Sequence, residues 1–286
     1  VGIQLNDIEE AARGCLIQAG TTFREDQIRA YRRAIEAETE PNPRWVLTHI
    51  LENAYIAAEK RLPLCDDTGI PHVIVRVGDE CDLPLGWLSA VEKGVAQGLL
   101  DMPGRPMAVK GTPRERVEQS AGLYEDSSKL ALAPVVIQRT SGSDLTLSVL
   151  LLGGGPEIRA KTRRIFHRRS IDHVLEEAAS WITGEIGSLG CTPIVVAMGI
   201  GRSQMEASAL MLQAMNEGNL DEQNEFERKV TDVVNLSRVG PLGLGGGVTA
   251  LGTFMKIGPT RASGVRVVSV RPCCCVEPRR ATVAIR

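Results

Sequence analysis

The sequence predicts an α+β fold with mixed β-sheets flanked by helices. Apolar residues recur at three- and four-residue spacing through the first sixty positions, the pattern of amphipathic helices. Short runs rich in Val, Ile and Leu follow at 72–78, 134–140, 145–152, 194–198 and 264–270, and each is bounded by Gly, Pro or Ser. Helical segments lie between the later runs. The 286 residues show no internal repeat, low-complexity segment or clean linker, so they are read as a single domain over 1–286, long enough to bury a sizeable core.

Two helices are expected between Asn6 and Ala37, with a break at Thr21 to Arg24, and a third from Trp45 to Lys60 after the punctuation of Pro41-Asn42-Pro43. His72 to Gly78 reads as a buried strand and Leu85 to Gln97 as a helix; 102–122 reads as loop. Pro134–Thr140 and Leu145–Leu152, joined by Ser141-Gly142-Ser143-Asp144, predict a hairpin, followed by the flexible turn Gly153-Gly154-Gly155. The basic run Arg159 to Arg169 is read as the solvated face of a helix rather than a nucleic-acid patch. A helix over Ile171–Ile182, a strand over Ile194–Met198, a long helix over Gln204–Glu217 and a polar helix over Asn219–Asn235 follow. Five glycines within 240–247 exclude regular structure there and imply close approach of backbone to another element or a ligand. The last expected strand is Gly264–Val270.

A hydrophobic content of 43%, a charged content of 24% and a formal net charge of −2 describe a soluble globular chain and give no electrostatic case for nucleic acid. An aromatic fraction of 3% leaves few surfaces on which bases could stack. No run of about 18 apolar residues predicts a membrane span, and the start of the chain lacks the basic and apolar regions of a signal peptide, so a cytoplasmic location is expected. The seven cysteines are odd in number and three are consecutive, which argues against a disulfide framework and for thiols kept as metal ligands or reactive groups. Gly199-Ile200-Gly201-Arg202-Ser203 lies between a strand and a helix but lacks the Lys-Ser/Thr of a nucleotide loop; it reads as a generic anion or carboxylate cradle.

The densest chemistry lies in Leu62-Pro63-Leu64-Cys65-Asp66-Asp67-Thr68-Gly69-Ile70-Pro71. A thiol beside two carboxylates in a glycine turn has the composition of a metal or catalytic loop, although Asp-Thr-Gly also closes an ordinary Asx-turn. Cys65, Cys191 and one of Cys273 to Cys275 share one setting, next to Pro or Gly where an element meets a loop. Their separations are far wider than those of structural zinc sites, and three separated thiols would leave one iron of a four-iron cluster open to act as a Lewis acid.

Several segments, taken in order, resemble the alpha subunit of class I, iron–sulfur-dependent fumarases and L(+)-tartrate dehydratases. They are Ile50-Leu51-Glu52-Asn53-Ala54, Pro63-Leu64-Cys65 with Asp67-Thr68-Gly69-Ile70, Gly190-Cys191 with Pro193, Gly240-Pro241 with Gly243-Leu244-Gly245-Gly246, Thr249-Ala250-Leu251, and a final Cys with Arg279. The resemblance covers almost the whole chain. It implies a [4Fe–4S] hydro-lyase that adds or removes water in a small dicarboxylate of the fumarate/malate or tartrate type. It further implies a separate beta subunit supplying the catalytic base, in an alpha2-beta2 assembly, so that this chain alone is expected to be inactive.

By the same resemblance the cluster ligands are Cys65, Cys191 and a third cysteine. The Cys-x-x-x-Arg spacing selects Cys275 with Arg279, whereas counting from the preceding strand selects Cys274; Cys275 is preferred. Asp67 falls on the expected proton donor, with Thr68 beside it, and Arg116 is the candidate clamp for a substrate carboxylate. Asp66, Gly154, Gly155 and Arg279 are the implied substrate contacts. The sequence departs from the family pattern at Asp66, where Gln is expected, at Pro156 in the glycine turn, at Arg202 within Gly201-Arg202-Ser203, and at Arg261 in place of His. These departures motivate a rival reading as a non-catalytic cluster-binding scaffold, and adjacent C-terminal thiols motivate a third, a zinc site.

Overall fold

The computed structural model describes residues 2–286. Helices α1 (Leu5–Thr21) and α2 (Glu25–Ala37) are separated at the expected break, where Thr22 and Arg24 are extended. Helix α3 (Pro41–Lys60) starts at Pro41 rather than Trp45, because proline in a first turn forfeits no intrahelical hydrogen bond. Strand β1 (Ile70–Gly78) and helix α4 (Trp87–Asp101) follow as expected. The stretch read as loop contains a short helix, α5 (Pro113–Glu118), closed by a reciprocal capping box between Thr112 and Glu115 with proline at its start.

Next come β2 (Val136–Thr140), β3 (Leu145–Leu152), the single turn α6 (Gly154–Glu157), β4 (Lys161–Phe166), α7 (Ile171–Ile186), β5 (Ile194–Gly201) and α8 (Gln204–Glu217). Helix α9 (Glu225–Asn235) begins later than its polar pattern suggests, because Asn224 accepts from the amides of Phe226 and Glu227 and sets the cap there. Strands β6 (Ala250–Ile257), β7 (Val265–Cys273) and β8 (Arg279–Ile285) complete the chain. The α+β architecture of mixed sheets with helices is as the sequence predicts. Among the described residues no helix is long and apolar enough to cross a membrane.

The elements form two compact units that interleave along the chain. One comprises Val1–Phe23, Ala54–Gly154 and Arg279–Arg286; the other comprises Arg24–Asn53 and Gly155–Pro278. The first unit holds a four-stranded sheet in the order β2-β1-β3-β8. Helices α1 and α4 pack together in this unit, and Ile8, Leu16, Val75, Leu99, Leu147 and Leu151 are among the buried residues of its core. Strands β2 and β3 do not form the expected hairpin. Strand β1 lies between them, parallel to β2 and antiparallel to β3. The connection and the end of β2 bond instead to the end of β1 and the two residues that follow it: Gly78 N–H donates to the Asp144 carbonyl, Asp79 N–H to that of Thr140 and Glu80 N–H to that of Gly142. Two carbonyls of the connection and that of Thr140 at the end of β2 are thus paired with the last residue of β1 and the two residues after it, so the turn closes around a third strand rather than on itself.

The second unit holds the sheet β4-β7-β5-β6, with β5 buried along its whole length. The basic run is not a helix. It forms the edge strand β4, where Arg163 and Arg164 are exposed; charge on an edge strand discourages pairing with other chains. Within this unit Arg271 of β7 is fully buried and ion-paired with the equally buried Glu277 at 3.2 Å and with the exposed Glu157. Burial opposes the charge of Arg271, but Glu277, Cys273 and Glu157 outweigh it and hold the guanidinium above its ordinary pKa. Removing one partner of a buried pair strands the other charge. Arg271→Ala is therefore expected to lower stability by about 3–5 kcal/mol, read as a shift in urea-unfolding midpoint.

Candidate functional site

In the first unit the register of three strands gathers the site. Ile70 at the start of β1 pairs with Leu152 at the end of β3, and Leu151 pairs with Arg279 at the start of β8. This places the loop before β1, the turn after β3 and Arg279 at one end of the sheet. The loop is seated from behind, since Leu64 is buried and its amide donates to the Gly20 carbonyl at the end of α1, 2.9 Å away. Cys65, the next residue, is half-buried, with its Sγ 3.5 Å from Asp66 Oδ1.

Asp67 is fixed by two amides. Gly69 N–H donates to Oδ1 at 3.0 Å, closing an Asx-turn, and Gly154 N–H donates to Oδ2 at 2.8 Å. The Asx-turn and the candidate catalytic loop marked in the sequence are thus the same structure. Arg279, 3% exposed, donates from Nη1 to the Asp67 carbonyl at 2.8 Å, while its Nε lacks a hydrogen-bond partner among the described residues. Gly69 has φ +77°, and a Cβ there would fall 2.5 Å from Arg279 Nη2, so glycine permits both the turn and the approach of the guanidinium.

Thr68 is buried, and its hydroxyl donates to the Arg105 carbonyl at 2.7 Å, which ties the loop down. The Arg105 guanidinium faces Asp66 at 3.4 Å; both side chains are exposed, and such a pair contributes little to stability. Arg105 went unnoticed in the sequence, where only the neighbouring glycine and prolines marked the segment. Arg116 lies on the exposed surface of α5 and takes no part in the hydrogen bonds around Asp67. Gly155 accepts a hydrogen bond at its carbonyl from Arg159 Nη1 at 3.0 Å, within the second unit.

The second unit carries Cys191 and the three consecutive cysteines. Cys191 is exposed just before β5, and its carbonyl accepts from the Cys275 amide at 2.8 Å, so these two residues adjoin. Cys273 is fully buried, its Sγ is 3.6 Å from Met215 Sδ, and burial pushes the thiol pKa well above its usual value. Cys274 is buried as well, whereas Cys275 is half-buried. No cysteine among the described residues is in a disulfide. Among the described residues no group of three or more His, Cys, Asp or Glu side chains is assembled as a metal site.

Two structures hold these thiol-bearing loops. The glycine-rich segment supports Cys191: Thr192 is buried and donates to the Gly240 carbonyl at 2.5 Å, and Leu242 N–H donates to the Thr192 carbonyl at 3.0 Å. Gly240 has φ +67°, and a Cβ there would lie 1.4 Å from the Gly245 carbonyl oxygen; the close approach implied by the sequence is thus of the segment to itself. Glu38 holds its far end by accepting from Gly247 N–H at 2.8 Å.

The segment after Cys274 is held by one face of α2 and its cap. Tyr31 Oη donates to the Cys275 carbonyl at 2.6 Å, Gln27 Nε2 to that of Val276 at 3.3 Å, and Arg24 Nη1 to that of Pro278 at 2.6 Å. Arg24, Gln27 and Tyr31 sit at helical spacing, a polar stripe that was visible in the sequence but had no assigned partner.

The family described as Fumarate hydratase (Fumerase) matches residues 9–284. The chain belongs to that family. A protein of Methanocaldococcus jannaschii, provisionally named L(+)-tartrate dehydratase subunit alpha, is 26% identical over 255 residues, covering 84% of this chain and 85% of that protein. L(+)-tartrate dehydratase subunit alpha of Escherichia coli is 21% identical over 278 residues, covering 94% of this chain and 88% of its own length. Fumarate hydratase 2 of Leishmania major is 28% identical over 194 residues, which cover 64% of this chain but 31% of that protein.

Tyr31→Phe leaves the Cys275 carbonyl without its hydroxyl partner. A loss of about 1–3 kcal/mol is expected in chemical unfolding, together with faster amide exchange at Cys275 and Val276 by mass spectrometry.

Proposed function

We propose that the chain is the alpha component of an iron–sulfur hydro-lyase that hydrates and dehydrates a small dicarboxylate of the fumarate/malate or tartrate type. The observation that carries this reading is the Asp67 carboxylate, held by the Gly69 and Gly154 amides within the Cys65 loop and braced through its carbonyl by buried Arg279. Family membership supplies the reaction class.

The donor set suits a [4Fe–4S] cluster: Cys65 and Cys275 are half-buried, Cys191 is exposed, and none is consumed in a disulfide. These three residues would hold it. Cys275 is preferred to Cys274 because its amide joins the Cys191 carbonyl, whereas Cys274 is buried and Cys273 packs against Met215. When bound with three protein ligands, such a cluster supplies Lewis acidity at its open iron.

The chain's own residues then have distinct tasks. Asp67 passes a proton to the departing hydroxyl in dehydration and recovers it in hydration, with both carboxylate oxygens oriented by backbone amides. Arg279 contributes a buried cation that braces the Asp67 carbonyl beside the substrate position, the charge assigned to a substrate carboxylate. Thr68 positions the loop through Arg105. Gly154 and Gly155 offer a backbone turn without side chains to obstruct the substrate, and Arg105 balances Asp66, the charge that departs from the family pattern. Arg116, on its exposed helix, is the arm reserved for a second carboxylate. The catalytic base belongs to a beta subunit, with alpha2-beta2 the proposed assembly, and the reducing cytoplasm is where ligand thiols of this kind persist.

Anaerobic reconstitution is expected to give about four irons and four sulfides per chain. Cys65→Ser, Cys191→Ser and Cys275→Ser are each expected to lose the cluster absorbance, while Cys274→Ser retains it; full occupancy in Cys191→Ser would sink the assignment. With the beta partner present, Asp67→Asn should keep the cluster yet slow turnover of fumarate or tartrate by about 10²–10⁴-fold, measured as kcat.

A further inference from the structure

We propose that the second unit carries a separate binding site for a small polyanion, built where β4, β5 and β7 meet the loop before β7. Arg164, Arg202, Arg261 and Arg266, with Thr260 and Ser263, line a cavity of about 280 Å³ that contains no acidic lining residue. The sheet register brings Arg164 level with the end of β5, where Arg202 follows. Arg164 of β4 pairs with Val267 of β7, which pairs in turn with Gly201 of β5, so the three form one row across strands roughly 5 Å apart. Arg266 occupies the adjacent position on β7, opposite Ile165, so strand alternation sets it on the other face of the sheet from Arg164, and the two border the cavity from opposite sides of the sheet end. Gly201 adds no side chain to the row, and Arg202 follows it directly.

Two of the four guanidiniums are anchored. Arg202 is paired with Glu206, and Arg266 Nη1 donates to the carbonyls of Ser263 at 3.1 Å and Val265 at 3.0 Å. Arg164 and Arg261 have no ion-pair partner among the described residues. Glu206 thus balances one of four positive charges, leaving three around a small cavity. Like charges this close repel, and a trianion relieves that repulsion while accepting hydrogen bonds from several guanidiniums and two hydroxyls.

The site is distinct from the cysteine-bearing loops of this unit. Cys191 precedes β5 and the cavity lies at its last residue, Gly201, so the length of β5, roughly 23 Å at a strand's rise per residue, separates them. The ligand class is a small molecule bearing about three clustered negative charges, as phosphates or as carboxylates.

Titration calorimetry of the full chain with pyrophosphate and, separately, citrate tests the site and discriminates the two chemistries. Saturable one-to-one binding of at least one is expected, weakening as salt rises. In Arg164→Gln/Arg261→Gln, affinity should fall about tenfold or more, the loss of at least one charge-assisted contact. The charge-matched control Arg228→Gln/Arg238→Gln, whose residues are exposed and outside the cavity, should bind as wild type, as should Cys191→Ser. The proposal is overturned if neither anion binds saturably, if the cavity variant binds like wild type while remaining folded by circular dichroism, or if the control loses as much affinity. Loss of binding in Cys191→Ser would overturn its independence from the cysteine loops, whatever the outcome of cluster reconstitution.

Discussion

The pairing of β3 between β1 and β8 is the constraint on which the first unit's chemistry depends. It sets Ile70 opposite Leu152 and Leu151 opposite Arg279, and thereby decides that the Asp67 loop, the Gly154 amide and the Arg279 side chain share one sheet end. A slip of one residue would move Leu145, Leu147, Val149 and Leu151 out of the core and carry Gly154 away from Asp67. Core packing and carboxylate placement are therefore specified by the same alternation, and the hydrophobic face of β3 does the positioning.

The second unit solves a different problem, holding irregular loops without regular pairing. The Cys191 loop rests on a glycine segment whose backbone folds against itself, and the segment after Cys274 hangs from three side chains at the start of α2. Both arrangements use donors and acceptors far apart in sequence, with Glu38 and Thr192 as the fixed points. The orphan backbone groups of loop segments are thus paired rather than left to desolvation.

Much of the fold was legible because periodicity reports burial directly. The boundaries of α1, α2 and α8 and the strand character of β1 and β5 follow from it. The strand nature of 161–166 was obscured by its charge, since an edge strand exposed on one side reads like a solvated helix until its neighbour is known. The hairpin between β2 and β3 failed for a related reason: turn chemistry specifies a reversal but not whether a third strand enters it. The capping box at Thr112 and Glu115 was present in the sequence, and its physical meaning was local enough to have been read. At the site, Asp67 and Arg279 were marked by motif, and the amide of Gly154 was expected as a turn. Arg105 and the clamp of Arg24, Gln27 and Tyr31 were not, because a carbonyl acceptor leaves no trace in residue identity.

The three consecutive cysteines show how a strand end sorts chemically identical groups. Cys273 belongs to β7 and is sealed against Met215, Cys274 is buried one residue on, and Cys275 emerges where the strand has ended. Burial disfavours the thiolate of Cys273, and thiolate is the form that peroxide attacks. Oxidative damage to this segment is thus directed away from the core sulfur: the half-buried Cys275 can be oxidised while Cys273 and the packing around Met215 stay intact.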